Sequence, residues 1–366
     1  MIGIITFHTQ YNCGSALQVF ALQEKIRDLG YECEVLDYYY AEDMRNYDIR
    51  WYTKNLKVIL FDLYTFRNSY ARKKSYKIFQ KKYLKLSART KDWHELKEIS
   101  KDCNVLVCGS DQIWNVGLTY GPHPAYFLKF ASHDQKLVSY APSVALSMIP
   151  EGYKKEIKSA LKKFSCVSVR EQQTADELEE ITGEEVACVL DPTLLHNAEF
   201  YNQLICDYKL ALPDKYIFIY CLHYTNLDKL KKTAEYYAKE NNLPIIYFNK
   251  FNIHNNLYKQ NIFKYGPEAF LCAIKNAEFV VADSYHAAVF SIQYRKEFLA
   301  YALKDSRSRL DTLFRKLGIE NHFIEDNFRI PHKINYDVVY EKLIQERENS
   351  IEFLKEALGD NKDERK

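Results

Sequence analysis

No Cys-x-x-Cys pair occurs in this chain, although nine cysteines do, at irregular spacing. The nearest two are Cys103 and Cys108, and no Cys/His grouping has the form of a zinc site. The expectation is buried free thiols in a reducing compartment, with no metal and no cofactor. No window holds about 18 consecutive apolar residues, which excludes a membrane-spanning helix. The opening Met1-Ile2-Gly3-Ile4-Ile5-Thr6-Phe7 lacks a basic leader and a small-residue cleavage site. It reads as a buried strand rather than a signal peptide, so the expected location is cytoplasmic. The GxGxxG dinucleotide fingerprint is missing as well. Only Gly14 follows the first apolar run, so Asp37, placed where a ribose-binding acid would stand, does not make a nicotinamide site. There is no internal repeat and no low-complexity linker.

What remains is a chain of 366 residues, 47% hydrophobic, long enough for two domains with real cores. Its net charge of +2 hides an asymmetry. Residues 45–91 carry fourteen Lys and Arg against Asp48 and Asp62, interleaved with aromatics such as Trp51, Tyr64, Phe66, Tyr70, Tyr76 and Phe79. The plain expectation is a helical pair with a solvated basic face. The sharper one is a surface meeting anionic membrane lipid or a lipid-pyrophosphate acceptor, at the inner face of the membrane. No nucleic-acid motif accompanies the charge, so no nucleic-acid partner is expected.

Short β-branched runs alternate with helically spaced ones. Ile2–Phe7, Glu34–Tyr38, Asn104–Cys108, Lys136–Tyr140, Cys166–Val169 and Val186–Leu190 read as strands. Between them Ser15–Leu29, Pro150–Lys163 and Glu171–Ile181 read as helices. The alternation restarts at Tyr216–Leu222 and runs to a long helix near Val338–Leu358. This predicts an α/β protein of two Rossmann-like domains, parallel sheets with helices on both faces, facing each other across a cleft. The boundaries are 1–196, with 45–91 as a basic aromatic helical insertion, and 197–366, with a long C-terminal helix.

Ligands of open parallel sheets sit beyond the carboxyl ends of the strands. After the first strand, Asn12-Cys13-Gly14-Ser15 turns the chain into a helix whose free amides suit an anion, with Ser15 as N-cap; a capped turn without ligand is the alternative. After the third, Gly109-Ser110-Asp111-Gln112-Ile113-Trp114-Asn115 pairs small polar groups with a Trp that would stack on a sugar, or else packs in the core. Arg170 offers a planar fork to carboxylate or phosphate, or pairs internally with Glu171 or Asp191. Asp191-Pro192-Thr193 looks structural. In the second half, Asp283-Ser284-Tyr285-His286 places an imidazole in the first turn of a helix, where it can serve as general acid or base or simply be structural. Lys304, Arg307 and Arg309 crowd a later loop and fit an anionic ligand or surface pairing with Asp305 and Asp311.

Taken in order, these exits resemble the polysaccharide pyruvyl transferase family. The matches are Asn12-x-Gly14-Ser15-x-Leu17-Gln18, Gly109-Ser110-Asp111-Gln112-x-Trp114-Asn115, Ser168-Val169-Arg170-Glu171 and Asp191-Pro192-Thr193. Gly266-Pro267-Glu268, Asp283-Ser284-Tyr285-His286 and Ser308-Arg309-Leu310 complete the set. The resemblance implies a GT-B-like architecture, phosphoenolpyruvate as donor substrate, and a saccharide or lipid-linked oligosaccharide as acceptor. It implies that His286 is the general acid and that Arg170 and Arg309 hold the donor. Asp111 would take a proton from the acceptor hydroxyl; Asn12, Gly14, Ser15, Ser110, Trp114, Ser284, Lys304 and Arg307 would line the substrate site. Ala287 stands where the family commonly has Gly, which narrows the approach. The rivals are a glycosyltransferase using a nucleotide sugar and an inactive glycan-binding member.

Overall fold

The computed structural model describes residues 1–40, 56–250, 252–253, 255–302, 307–324 and 333–359. The first sheet is parallel, in the order β2-β1-β3-β4, with β1 at Ile2–Ile5, β2 at Cys33–Val35, β3 at Val105–Cys108 and β4 at Lys136–Ser139. A parallel pair, β5 (Ser168–Val169) and β6 (Ala187–Cys188), continues it through a bridge between Val138 and Cys166. The second sheet is also parallel, in the order β11-β10-β7-β8-β9. Its strands are β7 (Ile217–Tyr220), β8 (Ile245–Phe248), β9 (Tyr258–Asn261), β10 (Phe279–Ala282) and β11 (Glu297–Ala300). Both sheets reverse their order beside their first strand, between β1 and β3 and between β7 and β10. These are the places where loops diverge and ligands bind.

The helices are α1 (Cys13–Asp28), α2 (Leu56–Tyr83), α3 (Leu96–Ile99), α4 (Glu151–Leu161), α5 (Gln172–Thr182) and α6 (Ala198–Ile205). They continue with α7 (Leu227–Glu240), α8 (Pro267–Lys275), α9 (Tyr285–Gln293), α10 (Ser308–Leu317) and α11 (Tyr336–Leu358). Strand alternation sets three cores. Phe218 and Tyr220 of β7 face the middle core, and Ile217 and Ile219 face an outer one. In β1, Ile2 and Ile4 face that same middle core, whereas Ile5 faces the other outer core. The middle core is therefore common to both sheets. Its inner wall includes Phe20 of α1 stacked on Phe200 of α6, and Tyr201 edge-on to Phe290 of α9.

The α/β architecture with two parallel sheets is the one the alternation predicts. Helix α1 starts earlier than expected: Asn12, not Ser15, is the N-cap, its Oδ1 accepting from the Gly14 amide at 2.8 Å. The Ser15 hydroxyl is instead turned toward Asp111. Strand β9 had no strand signal, because Tyr258-Lys259-Gln260-Asn261 is a polar edge strand. Of the basic segment, 56–83 form the 28-residue helix α2 and 84–91 continue outside it, while 45–55 lie outside the described residues. Helix α11 reaches from one sheet to the other. Tyr340 donates to the Gln293 carbonyl (2.6 Å) near its start, and Ser350 accepts from the Leu190 amide (2.9 Å) further along.

Candidate active site

The site forms where the turns after β1, β3, β6 and β10 meet. Asp191, just beyond β6, is its hub. Its Oδ1 accepts from the Thr193 amide (3.0 Å) and hydroxyl (2.5 Å). Its Oδ2 accepts from Arg170 Nη1 (2.5 Å) and Ser110 Oγ (3.0 Å), and lies 3.5 Å from His286 Nε2. Burial alone would raise this carboxyl. His286, Arg170 and the Thr193 hydroxyl outweigh burial and hold it well below the usual carboxylate range. Asp191 is thus an anion at any ordinary pH, and it ties an imidazole from the second half of the chain to a guanidinium from the first.

Two cations flank one ring. Arg170 lies over the Tyr285 ring at 4.4 Å and Arg309 lies 5.9 Å from it. Burial lowers the Arg309 pKa, and the Arg170 charge lowers it further. Burial also works against the Arg170 cation, but Asp191, Tyr285 and Glu171 outweigh it. Arg170 Nε and Nη2 and Arg309 Nε are buried without a hydrogen-bond acceptor. Leaving such a donor unsatisfied costs about 1–3 kcal/mol, more for a charged group. The two guanidinium groups thus sit close together, offset by Asp191, Glu171 and Asp111, with donors not engaged in hydrogen bonds.

His286 sits in the first turn of α9, and its side chain is only 8% exposed. Gly14 is the reason it fits. A Cβ at position 14 would lie 2.0 Å from His286 Nδ1, so only a glycine lets the start of α1 pass beneath the imidazole. Helices α1 and α9 therefore present their N-termini to one spot, adding positive potential. Asp111 occupies the left-handed region at φ 75°, uncommon for a residue other than glycine. Its carboxylate accepts from the Gln112 amide (2.8 Å) and faces the Ser15 hydroxyl at 2.5 Å. It acts electrostatically on both Arg170 and Arg309. Ser284 is the buried N-cap of α9 without a side-chain cap bond, and Asp283 behind it accepts from the Leu222 (2.7 Å) and His223 (2.9 Å) amides.

The structure brings together Asn12, Gly14, Ser15, Ser110, Asp111, Arg170, Ser284, His286 and Arg309. Two others are corrected. Trp114 is no sugar platform: it is 1% exposed in the outer core of the first sheet, stacked on Phe127 at 5.1 Å, its Nε1 donating to the Tyr126 carbonyl. The turn after Asp111 carries the indole back under the sheet. Arg307 is half exposed, pairs with Asp311 (3.0 Å) and lies over Phe323, which is surface pairing rather than ligand binding. Lys304 lies outside the described residues. Sequence reasoning treated Asp191 as structural and gave no role to Tyr285. The available signal was their place shortly after strands, with Tyr285 next to His286 in the chain.

A family model described as polysaccharide pyruvyl transferase matches residues 12–305. No curated protein matches the chain in sequence. Among solved structures, the UDP-GlcNAc 2-epimerase of Methanocaldococcus jannaschii in complex with UDP-GlcNAc and UDP is 12% identical, with a TM-score of 0.51, covering 96% of this chain and 92% of that one. MnaA of S. aureus in a UDP co-structure is 12% identical, with a TM-score of 0.50, covering 97% and 90%. At such identities these neighbours speak for the fold alone, which is GT-B-like. The family match spans most of the chain and takes in His286, Arg170 and Asp191 alike, and on that basis the chain belongs to the polysaccharide pyruvyl transferase family.

Proposed function

We propose that this transferase moves a pyruvyl group from phosphoenolpyruvate onto two hydroxyls of a saccharide, as a ketal. The observation that carries the reading is the pair Arg170 and Arg309, buried donors unfilled, on either side of Tyr285. A small donor bearing phosphate and carboxylate offers one anionic group to each guanidinium, and bidentate Arg pairing suits both. His286 gives a proton to the methylene carbon, and C2 becomes cationic. One sugar hydroxyl adds to C2 and loses its proton toward Asp111 through the Ser15 hydroxyl. The C2–O bond to phosphate then breaks, phosphate leaves, and the second hydroxyl closes the ring, its proton going to the His286 imidazole that gave up the first. Arg170 and Arg309 stabilise the charge that builds on phosphate. Asp191, 3.5 Å from Nε2, orients the imidazole.

The test is phosphate release from phosphoenolpyruvate with a panel of saccharide acceptors. His286→Ala should lower turnover by roughly 10²–10⁴-fold while the protein stays folded. Full turnover by a folded His286→Ala protein would remove the acid from this scheme. Thermal stabilisation by a nucleotide sugar and none by phosphoenolpyruvate would favour glycosyl transfer instead.

The acceptor is proposed to be lipid-linked, with α2 meeting the anionic membrane surface. Its outward face shows Phe66, Tyr70 and Ile78 among exposed basic residues such as Arg67, Lys74, Lys77 and Lys81.

A further inference from the structure

Helix α10 belongs to the second half of the chain and turns one stripe of side chains toward the first. Arg309, Thr312 and Lys316 stand at i, i+3 and i+7, which puts them on a single face. Arg309 comes beside Tyr285 and feels the Arg170 charge. One turn on, the Thr312 hydroxyl accepts from the Gln172 amide at 3.2 Å. Another turn on, Lys316 donates to the Cys188 carbonyl of β6 at 3.4 Å and pairs with Glu346 of α11. The stripe therefore docks α10 on the first half at the β5–α5 turn and at β6.

Gln172 is the first residue of α5, so its amide has no acceptor within the helix. The N-cap residue Glu171 makes no side-chain cap bond. Its carboxylate is turned away, accepting from the Ser143 hydroxyl and lying 3.8 Å from Arg170 Nε. The acceptor comes instead from the other half of the chain. Gln172 follows Arg170 by two residues, and Thr312 follows Arg309 by three. Their bond is thus a crosspiece between the two backbone segments that carry the guanidinium groups.

We propose that Thr312 is a positioning residue for the anion-binding pair: by capping α5 from α10, it sets the spacing of Arg170 and Arg309. The inference rests on the pyruvyl-transfer reading. Arg170 is already anchored from its own side, because its amide donates to the Pro142 carbonyl at 3.3 Å and its Nη1 to Asp191. Arg309 is placed by α10, and α10 is placed by Thr312 and Lys316. Bidentate pairing depends on the direction of each guanidinium fork. A small shift of α10 against α5 therefore loosens the hold on phosphoenolpyruvate and leaves proton transfer from His286 alone.

Thr312→Val keeps the shape of the side chain and removes the hydroxyl, whereas Thr312→Ser keeps the hydroxyl. In the phosphate-release assay, Thr312→Val should raise the KM for phosphoenolpyruvate roughly 3–10-fold, with kcat and acceptor KM within about twofold. Thr312→Ser should restore the KM. An unchanged KM in Thr312→Val, a loss that Thr312→Ser shares, or a fall in kcat alone would overturn the proposal. Hydrogen exchange at the Gln172 amide reads the cap itself. It should quicken several-fold in Thr312→Val and not in Thr312→Ser, and equal exchange in all three proteins would overturn the cap. If the unaltered protein releases no phosphate from phosphoenolpyruvate with any acceptor, the pyruvyl-transfer reading falls. Titration with inorganic phosphate then reads the guanidinium pair, and equal affinity in Thr312→Val and the unaltered protein would overturn the positioning role.

Discussion

Asp191 shows how one carboxylate can organise a site without touching substrate. Its bonds to Ser110, Arg170 and Thr193 and its approach to His286 fix four side chains, and losing any of them leaves charge buried without its partner. Gly14 is the steric counterpart. Gly14→Ala drives a methyl into the imidazole, so turnover should fall by at least an order of magnitude, with a stability cost of about 1–3 kcal/mol. Steady-state rates and a thermal melt check this; a Gly14→Ala protein with unaltered turnover would show that the imidazole is not confined there. Arg309→Gln removes one charge-assisted donor worth about 1.5–3 kcal/mol. The KM for phosphoenolpyruvate should rise roughly 10–100-fold, with acceptor KM little changed. A rise in acceptor KM alone would assign Arg309 to the other substrate. At this scale residue type and a place at a strand exit were enough to single out His286 and Arg170, which the fold brings together around Asp191. The Arg170–Asp191 pair was one of the alternatives read from the sequence, but not the reach of Asp191 to Ser110 and His286, which stand 81 and 95 positions away along the chain. Sequence reading failed at Trp114 because a strand exit does not reveal which face of the sheet the next turn returns to.

Among the elements, strands and helices were legible because buried parallel strands are apolar throughout and helices keep a polar stripe. Edges were not: β9 is polar at three of its four positions, and β5 and β6 pair over only two residues each. Helix α2 was legible as charge and aromatics, and the structure divides that content between two faces. Arg72, Tyr76 and Phe79 are buried, whereas Phe66, Tyr70, Lys74, Lys77 and Ile78 are exposed. Near an anionic surface each Lys contributes about 1 kcal/mol. Replacing Lys74, Lys77 and Lys81 by Ala should weaken binding to phosphatidylglycerol vesicles roughly 100-fold, with phosphatidylcholine vesicles bound weakly by both proteins. Co-sedimentation at low and high salt reads this directly. Salt-insensitive binding, or none by the unaltered protein, would discard the membrane face.

Over the whole molecule, stability should depend on pH through His196. This imidazole is stacked on Phe200 at 3.7 Å and bonded to the Ala21 carbonyl at 2.9 Å, so it links α1 to α6. Burial, followed by the nearby Lys25 charge, brings its pKa down to about 4. In the unfolded chain an ordinary histidine binds its proton near 6.5. Between these two values the unfolded chain holds the proton and the folded protein does not, so stability declines as pH falls from about 6.5 to about 4. The loss from this group is up to roughly 3 kcal/mol. Urea midpoints at several pH values should show a flatter acid limb in His196→Gln; identical slopes in both proteins would assign the acid sensitivity elsewhere.

Helix α11 follows both sheets in the chain, yet Arg347 donates to the Leu194 carbonyl (2.6 Å), Phe353 packs near Tyr140, and Lys136 of β4 donates to the Gly359 carbonyl (2.6 Å). The earlier half thus emerges from synthesis with one flank bare, and that flank is covered only after the later half has been made. Neither half is finished until the other is present, and a site assembled from both cannot arise in a partly synthesised chain.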